Sequence, residues 1–214
     1  MRRTRGGEEM SGDDPSIRAR QLDRGGAERN RAGRAPRKVD AAYLEKAALD
    51  YLGRFASSSA NLRRVLLRKV RRSAEAHGTD PGEGTALIDA LVARYTAAGL
   101  LNDDAYARAR AATLHRRGVS SRTIRGKLAQ KGIGEDAAAA ALDELGGGPD
   151  ALDLVAACHF VRRRRLGCCR RSGDPAASRE KDLAALGRAG FALDLARRVL
   201  ACRSEAELEA LLDE

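Results

Sequence analysis

Tryptophan is absent from this chain, and aromatic residues make up only 3% of it. The 43% hydrophobic content permits a packed interior, which must then be built mostly from Leu, Ala, Val and Ile. Alternating runs of Val, Ile, Thr and aromatic residues, the mark of strands, are also missing. Ala, Leu and Arg dominate and all three favour helix, so the expected fold class is all-α. No run of about 18 apolar residues occurs, which speaks against a membrane span. The N-terminal "MRRTRGGEEM" has no apolar stretch behind its basic residues, so no secretory signal is visible and a cytoplasmic location is expected.

The four cysteines, Cys158, Cys168, Cys169 and Cys202, contain no CxxC pair. Adjacent Cys168 and Cys169 are poorly placed to share one tetrahedral zinc ion, so buried, reduced thiols are expected and no metal. His77, His115 and His159 stand singly, and no nucleophile, base and orienting acid share a usable spacing. Phosphate-loop glycines are missing as well. An enzyme is not expected, nor is a cofactor.

What is present is positive charge. The net charge is +10 and the sequence pI about 10.0, which favours a polyanionic partner such as DNA, RNA or an acidic protein surface. The charge is segregated. From Ala105 to Gly134 there are eight basic residues and no acidic one, and from Tyr51 to Ala74 seven and none. "VRRRRLGCCRR" adds six, while acids gather elsewhere, as at Glu205, Glu207 and Glu209.

Residues 1–40 have almost no large apolar side chains and are expected to form a disordered, basic tail. Ordered structure is expected from Ala41 onward, as three successive three-helix units spanning 41–102, 103–147 and 148–214. In the first, "AAYLEKAALDYLGRF" spaces Tyr43, Leu44, Ala47, Ala48, Tyr51 and Leu52 along one helical face. "SSSANLRRVLLRKV" follows, "HGTDPGEG" breaks the chain, and a third helix places Leu87, Leu91 and Tyr95 on one side. Laid over the second unit, Ser58 falls on Ser120, Leu62 on Ile124 and Leu66 on Leu128, and the first unit lacks a counterpart to Gly132. From the third unit Ser178, Leu186, Gly190 and Phe191 fall on Ser120, Leu128, Gly132 and Ile133, with Asp182 in place of Ile124.

The segment "RRGVSSRTIRGKLAQKGI", Arg116 to Ile133, carries its own helix signals. Ser120 suits the N-cap, Val119 and Ile124 a hydrophobic staple, and Ile124 and Leu128 the inward face. Lys131 complements the helix dipole, and Gly132 can close the helix with Ile133 folding back on Leu128. The cations are not needed to specify this helix. Units stacked in similar orientation would bring their basic blocks onto one surface suited to an elongated acidic object. Tyr106, on the preceding helix, is expected to pack inward.

"GLLNDDAYA" (Gly99–Ala107) followed by that segment resembles the core signature of the RecX family, and "RRRRLG" and "KDLAALGRAGF" resemble its last unit. The similarity spans roughly Ala41 to Arg203. Two stretches depart from the family pattern: the long "SAEAHGTDPGEGT" and the Cys168–Cys169 pair after "RRRRLG". The resemblance implies an elongated, curved array of tandem three-helix repeats. It also implies a regulator that lies in the groove of the RecA–DNA filament and inhibits strand exchange, ATP hydrolysis and co-protease activity, so modulating DNA repair and the SOS response. The expected partner is the RecA nucleoprotein filament, with weak, sequence-blind binding to DNA and a monomeric chain. The expected contact residues are Arg63, Arg64 and Arg68 in the first unit, and Arg116, Arg117, Arg122, Arg125, Lys127 and Lys131 in the second. Arg162, Arg163, Arg164 and Arg165 serve the third, all through charge-assisted contacts. The rival reading is a basic helix-turn-helix DNA-binding protein without RecA specificity, with Arg122 and Arg125 reading bases.

Overall fold

The computed structural model describes residues 36–212. Most of the expected tail therefore lies outside the described residues. Its last part, 36–40, belongs to the first unit: Val39 N–H donates to Ser73 Oγ at 3.0 Å, and Asp40 caps the first helix.

The described residues are all-helical. The order is α1 (Ala41–Leu52), α2 (Ser59–His77), α3 (Pro81–Ala97), α4 (Asp103–Arg116), α5 (Ser121–Ala129), α6 (Glu135–Asp143), α7 (Gly148–Arg164), a 3₁₀ turn (Gly167–Cys169), α8 (Pro175–Arg188), α9 (Leu193–Ala201) and α10 (Glu205–Ala210). Short polar side chains start most of them. Asp40, Ser58, Asp80, Asn102, Ser120, Asp174 and Ser204 each accept a backbone N–H from the first turn, satisfying a donor the helix cannot.

The buried residues fall into three clusters. Leu44, Ala48, Leu62, Leu66, Val70, Ile88, Leu91 and Tyr95 form the first, from α1–α3. Ala107, Ala111, Leu114, Ile124, Leu128, Ile133 and Leu142 form the second, which also takes Leu152 from the start of α7. Phe160, Val161, Leu186, Phe191, Val199 and Leu208 lie in the third. Each large side chain removed from water contributes about 1.5–3 kcal/mol. The alanines let helices approach closely where aromatics are scarce.

Several local expectations change. Leu87 faces outward, 39% exposed, because the inward stripe of α3 runs through Gly84, Ile88, Leu91 and Tyr95, with Gly84 directly on Val70. The "HGTDPGEG" break shrinks to residues 78–80: α2 runs on to His77 and closes at left-handed Gly78, and Asp80 with Pro81 starts α3 at once. The first unit thus has its terminal glycine, two turns later than in the second. In the third unit the cap is Asp174 rather than Ser178, so α8 starts a turn early. Asp182 is buried, 3% exposed, and holds Gly167 N–H at 2.9 Å and the Arg170 guanidinium at 2.7 and 2.8 Å. That carboxylate fixes the path of the chain after the last basic helix.

Candidate polyanion-binding interface

Helices α2, α5 and α8 are joined end to end by the same device, used twice. Ser120 caps α5 by accepting Thr123 N–H, and its hydroxyl donates to the carbonyl of Ala189, just past α8, at 2.7 Å. Ser58 caps α2 and donates to the carbonyl of Lys131, just past α5. The next residue is glycine in both cases, Gly190 and Gly132, at φ +92° and +78°. Left-handed glycine turns the chain sharply enough to aim the preceding carbonyl at the neighbouring unit. A Cβ on Gly190 would sit 2.7 Å from Ser120 Oγ and Thr123 Oγ1, and one on Gly132 would strike the Ala60 methyl. A carboxylate completes each joint: Asp103 accepts Ser59 N–H at 2.8 Å, and Asp153 accepts Ser121 N–H at 2.7 Å. The negative end of one helix meets the positive end of the next, which is electrostatically favourable.

The first joint brings cations of two units together. Arg64 donates from α2 to the Gln130 carbonyl at 2.9 Å, and Lys131 Nζ donates back to Asn61 Oδ1 at 3.0 Å. Arg64 and Lys131 therefore fasten the joint while adding charge beside it. Near the second joint, Gly118, left-handed at φ +68°, presses on the α7 backbone: a Cβ there would lie 2.6 Å from Phe160 N and 2.8 Å from Ala156 O. The turn carrying Arg116 and Arg117 thus rests on α7 just before Arg162, a rise of about 1.5 Å per residue separating successive positions. Burial, with His115 and Arg162 nearby, lowers the His159 pKa between these blocks.

The expected contact residues divide into groups. Arg63 makes a bidentate pair with Asp89, at 2.6 and 3.1 Å, and this bond holds the Asp89 carboxyl below its usual pKa. Arg125 lies 3.4 Å from Glu135, and Arg162 lies 3.4 Å from Glu209 on the acidic α10. These three cations are partly neutralised from within. Arg164 lies over the Phe160 ring. Arg68, Arg116, Arg117, Arg122, Lys127, Arg163 and Arg165 are exposed, and among the described residues they carry no ion pair. Tyr106 is half-buried against the second cluster. Arg165 is the one non-glycine residue with positive φ among those described, at 57°.

No group of three or more potential metal ligands occurs among the described residues, and no described helix is long and apolar enough to cross a membrane.

The family model described as "RecX, second three-helix domain" matches residues 102–142, the stretch that carries α4, α5 and most of α6. The curated protein "Regulatory protein RecX" of Myxococcus xanthus is 42% identical over 180 residues, covering 83% of this chain and 95% of that protein. This chain belongs to the RecX family. A second RecX, from Agrobacterium fabrum, is 31% identical over 171 residues, covering 80% of this chain and 89% of its own. The crystal structure of RecX from Lactobacillus salivarius shares the fold, with a TM-score of 0.51 at 19% identity over 81% of this chain and 96% of that one. The RecX relatives are regulatory proteins by name, and the helical repeat array is the architecture this chain shares with the solved one.

Proposed function

We propose that this RecX-family chain binds the RecA–DNA filament and inhibits the recombinase, ATPase and co-protease activities of RecA, modulating DNA repair and the SOS response. It acts as a monomer in the cytoplasm, without catalytic residues of its own. The observation that carries this reading is the pair of serine–carbonyl joints. They join α5 to α2 and α8 to α5, and the contact of Gly118 with the α7 backbone supports a third block, Arg162 to Arg165, lying beside the second. A row of cations of this kind suits a long, repeating anionic partner better than a compact one. Exposed pairs such as Arg125–Glu135 hold their partners weakly and can be exchanged for contacts with that partner.

The helix-turn-helix reading is less well supported. A recognition helix contacts bases with its N-terminal residues, and here the N-terminus of α5 is tied to the Ala189 carbonyl of the next unit. A mobility-shift competition showing strong preference for one duplex site would restore that reading.

The test is ATP hydrolysis by the cognate RecA on single-stranded DNA with this protein titrated in. Inhibition is expected at or below stoichiometric protein. Changing Arg122, Arg125 and Lys127 together to Glu is expected to weaken it while the circular dichroism spectrum stays helical. Indifference of RecA to the unaltered protein would overturn the proposal.

A further inference from the structure

The chain has four tyrosines and three phenylalanines. Tyr95, Phe160 and Phe191 are buried. The other four, Tyr43, Tyr51, Phe55 and Tyr106, line two adjoining surface concavities, of about 390 and 540 Å³, that share Phe55 as a wall. A protein so short of aromatic residues has placed most of them on one surface.

The smaller concavity, between α1 and α2, is also cationic. Arg37 and Lys69 approach the Tyr43 ring to 5.4 and 5.5 Å from its centroid. Lys46 and Arg54 line the same space, and Asp50 is the one carboxylate in its wall. Arg54 is directed by its Nε, which donates to the Asp50 carbonyl at 3.0 Å. Phe55 is 55% exposed and tilts against Tyr51 with ring centroids 5.3 Å apart. Tyr51 is held in turn by Asn61 Nδ2, which donates to its hydroxyl at 3.0 Å. Beyond Phe55 the larger concavity continues to Tyr106 and Arg110.

We propose that this aromatic and cationic surface of the first unit is a binding site for single-stranded nucleic acid. Phosphates would meet Arg37, Lys46, Arg54 and Lys69, and unstacked bases would rest on Phe55 and Tyr51. Flat rings presented beside cations recognise a strand whose bases are free, because every base has a π-face. A duplex offers phosphates but keeps its bases stacked. A partner peptide would have to supply acidic groups and apolar side chains instead. Four cations against one carboxylate, with the rings of Tyr43, Tyr51 and Phe55 beside Ala47 and Val65 in the smaller wall, favour the nucleic acid. None of these residues belongs to the contacts assigned to the filament, and the site is measured with RecA absent.

The test is fluorescence anisotropy of a short labelled oligothymidylate against an abasic strand of equal length and charge. The abasic strand is expected to bind about tenfold more weakly. Phe55→Ala is expected to reduce oligothymidylate binding to about the abasic level. Arg54→Ala with Lys69→Ala is expected to weaken both strands and to reduce the salt dependence. Tyrosine emission, undisturbed by tryptophan, should be quenched by oligothymidylate and not by the abasic strand. Because Phe55 is exposed, its variant should keep the full helical circular dichroism signal. Equal binding of the two strands, or a tighter grip on duplex, overturns the proposal. So does a Phe55→Ala protein that binds oligothymidylate normally yet fails to inhibit RecA, since that marks the surface as a protein-docking face.

Discussion

Ser120 Oγ donates to the carbonyl oxygen of Ala189 at 2.7 Å, joining residues 69 positions apart. The same hydroxyl oxygen accepts Thr123 N–H at 3.4 Å, so one side chain both caps a helix and ties it to the next unit. Thr123 Oγ1 also donates to Ala189 O, at 2.9 Å. Ser58 has no such helper, since Asn61 stands where Thr123 does. Ser58→Ala is therefore expected to cost about 1–2 kcal/mol, the sum of a lost cap and an unpaired carbonyl. Ser120→Ala should cost less, and Ser120→Ala with Thr123→Val should restore the larger loss. Urea unfolding of the three variants measures the order; equal losses for Ser58→Ala and Ser120→Ala would remove the compensating role of Thr123.

The glycines that follow those carbonyls give a sharper test. Gly132 and Gly190 are left-handed, and each faces the preceding unit without room for a methyl group. Alanine at either position meets backbone strain of about 1–3 kcal/mol and a collision as well. By contrast Gly78, left-handed at φ +62°, has nothing near its missing Cβ. Gly78→Ala should then show the backbone strain alone. The expected order of stability loss in urea is Gly132→Ala and Gly190→Ala well above Gly78→Ala. Limited proteolysis near residues 57–60 should increase only in Gly132→Ala.

The helix at the centre of the second unit is legible in the sequence because its signals are local. Ser120, Ile124, Leu128, Gly132 and Ile133 serve as cap, core and stop as their types and spacing imply. The joints are not legible in the same way. Their acceptors are main-chain carbonyls of Lys131 and Ala189, which any residue carries, and the donors lie far away in the chain. Lys131 reads as a dipole-compensating cation, yet its ammonium group reaches Asn61. A signal did exist in the recurrence of Ser-Ser at 58–59 and 120–121, with Asp103 and Asp153 each opposite the second serine. The aromatic and cationic surface of the first unit escaped because Tyr43 and Tyr51 satisfy the spacing of a core face. Only packing shows that Leu44 and Ala48 fill that core while the tyrosines stay half-exposed.

Asp182 takes the place of an apolar residue and is the one charged side chain buried among the described residues. Removing one partner of a buried, hydrogen-bonded ion pair costs about 3–5 kcal/mol, mostly by stranding the other charge. Arg170→Ala, which leaves the Asp182 carboxylate buried, should therefore lower stability by that order, and Asp182→Ala should release the turn at Gly167–Cys169. Arg170, 24% exposed at its side chain, can turn toward water, so Asp182→Ala strands little charge and should cost less than Arg170→Ala. A double-mutant cycle in urea separates the pair from the backbone bond. Additive losses would show that Asp182 acts through Gly167 alone.

The thiols of the third unit give a pH dependence. Burial pushes Cys158 up to about 11 and Cys169 up to about 12, from an ordinary 9.0. Below that ordinary value both folded and unfolded chains keep the proton, so stability is full. As pH rises past it, the unfolded chain loses protons that the folded chain retains, and stability falls until the folded thiols titrate. The protein should lose melting temperature between pH 9 and pH 11, as the values above place the window. Cys158→Ala should lose less over the same interval, once its lower starting stability is subtracted. At pH 8 iodoacetamide should modify Cys158 slowly in the folded chain and rapidly in urea. Rapid modification without denaturant would show the thiol to be exposed and ionised.

Arg165 closes α7 at φ 57° and ψ 51°, where glycine is the usual residue. Holding an L-residue there costs about 1–2 kcal/mol, and a local cost of this kind is commonly retained for a functional reason. Its N–H donates to the Arg162 carbonyl at 3.2 Å, which any residue could do, so the side chain is what distinguishes arginine. Arg165→Gly relieves the strain but loosens the unfolded chain, which leaves the fold unchanged or more stable by about 1 kcal/mol. Arg165→Ala keeps the strain and deletes the same charge. Under the proposed function both variants should weaken inhibition of RecA ATP hydrolysis by a similar factor, although their melting temperatures move apart. Unaltered inhibition in both would mean that the arginine is not a filament contact. Loss of inhibition in Arg165→Ala alone would trace the effect to stability rather than to charge.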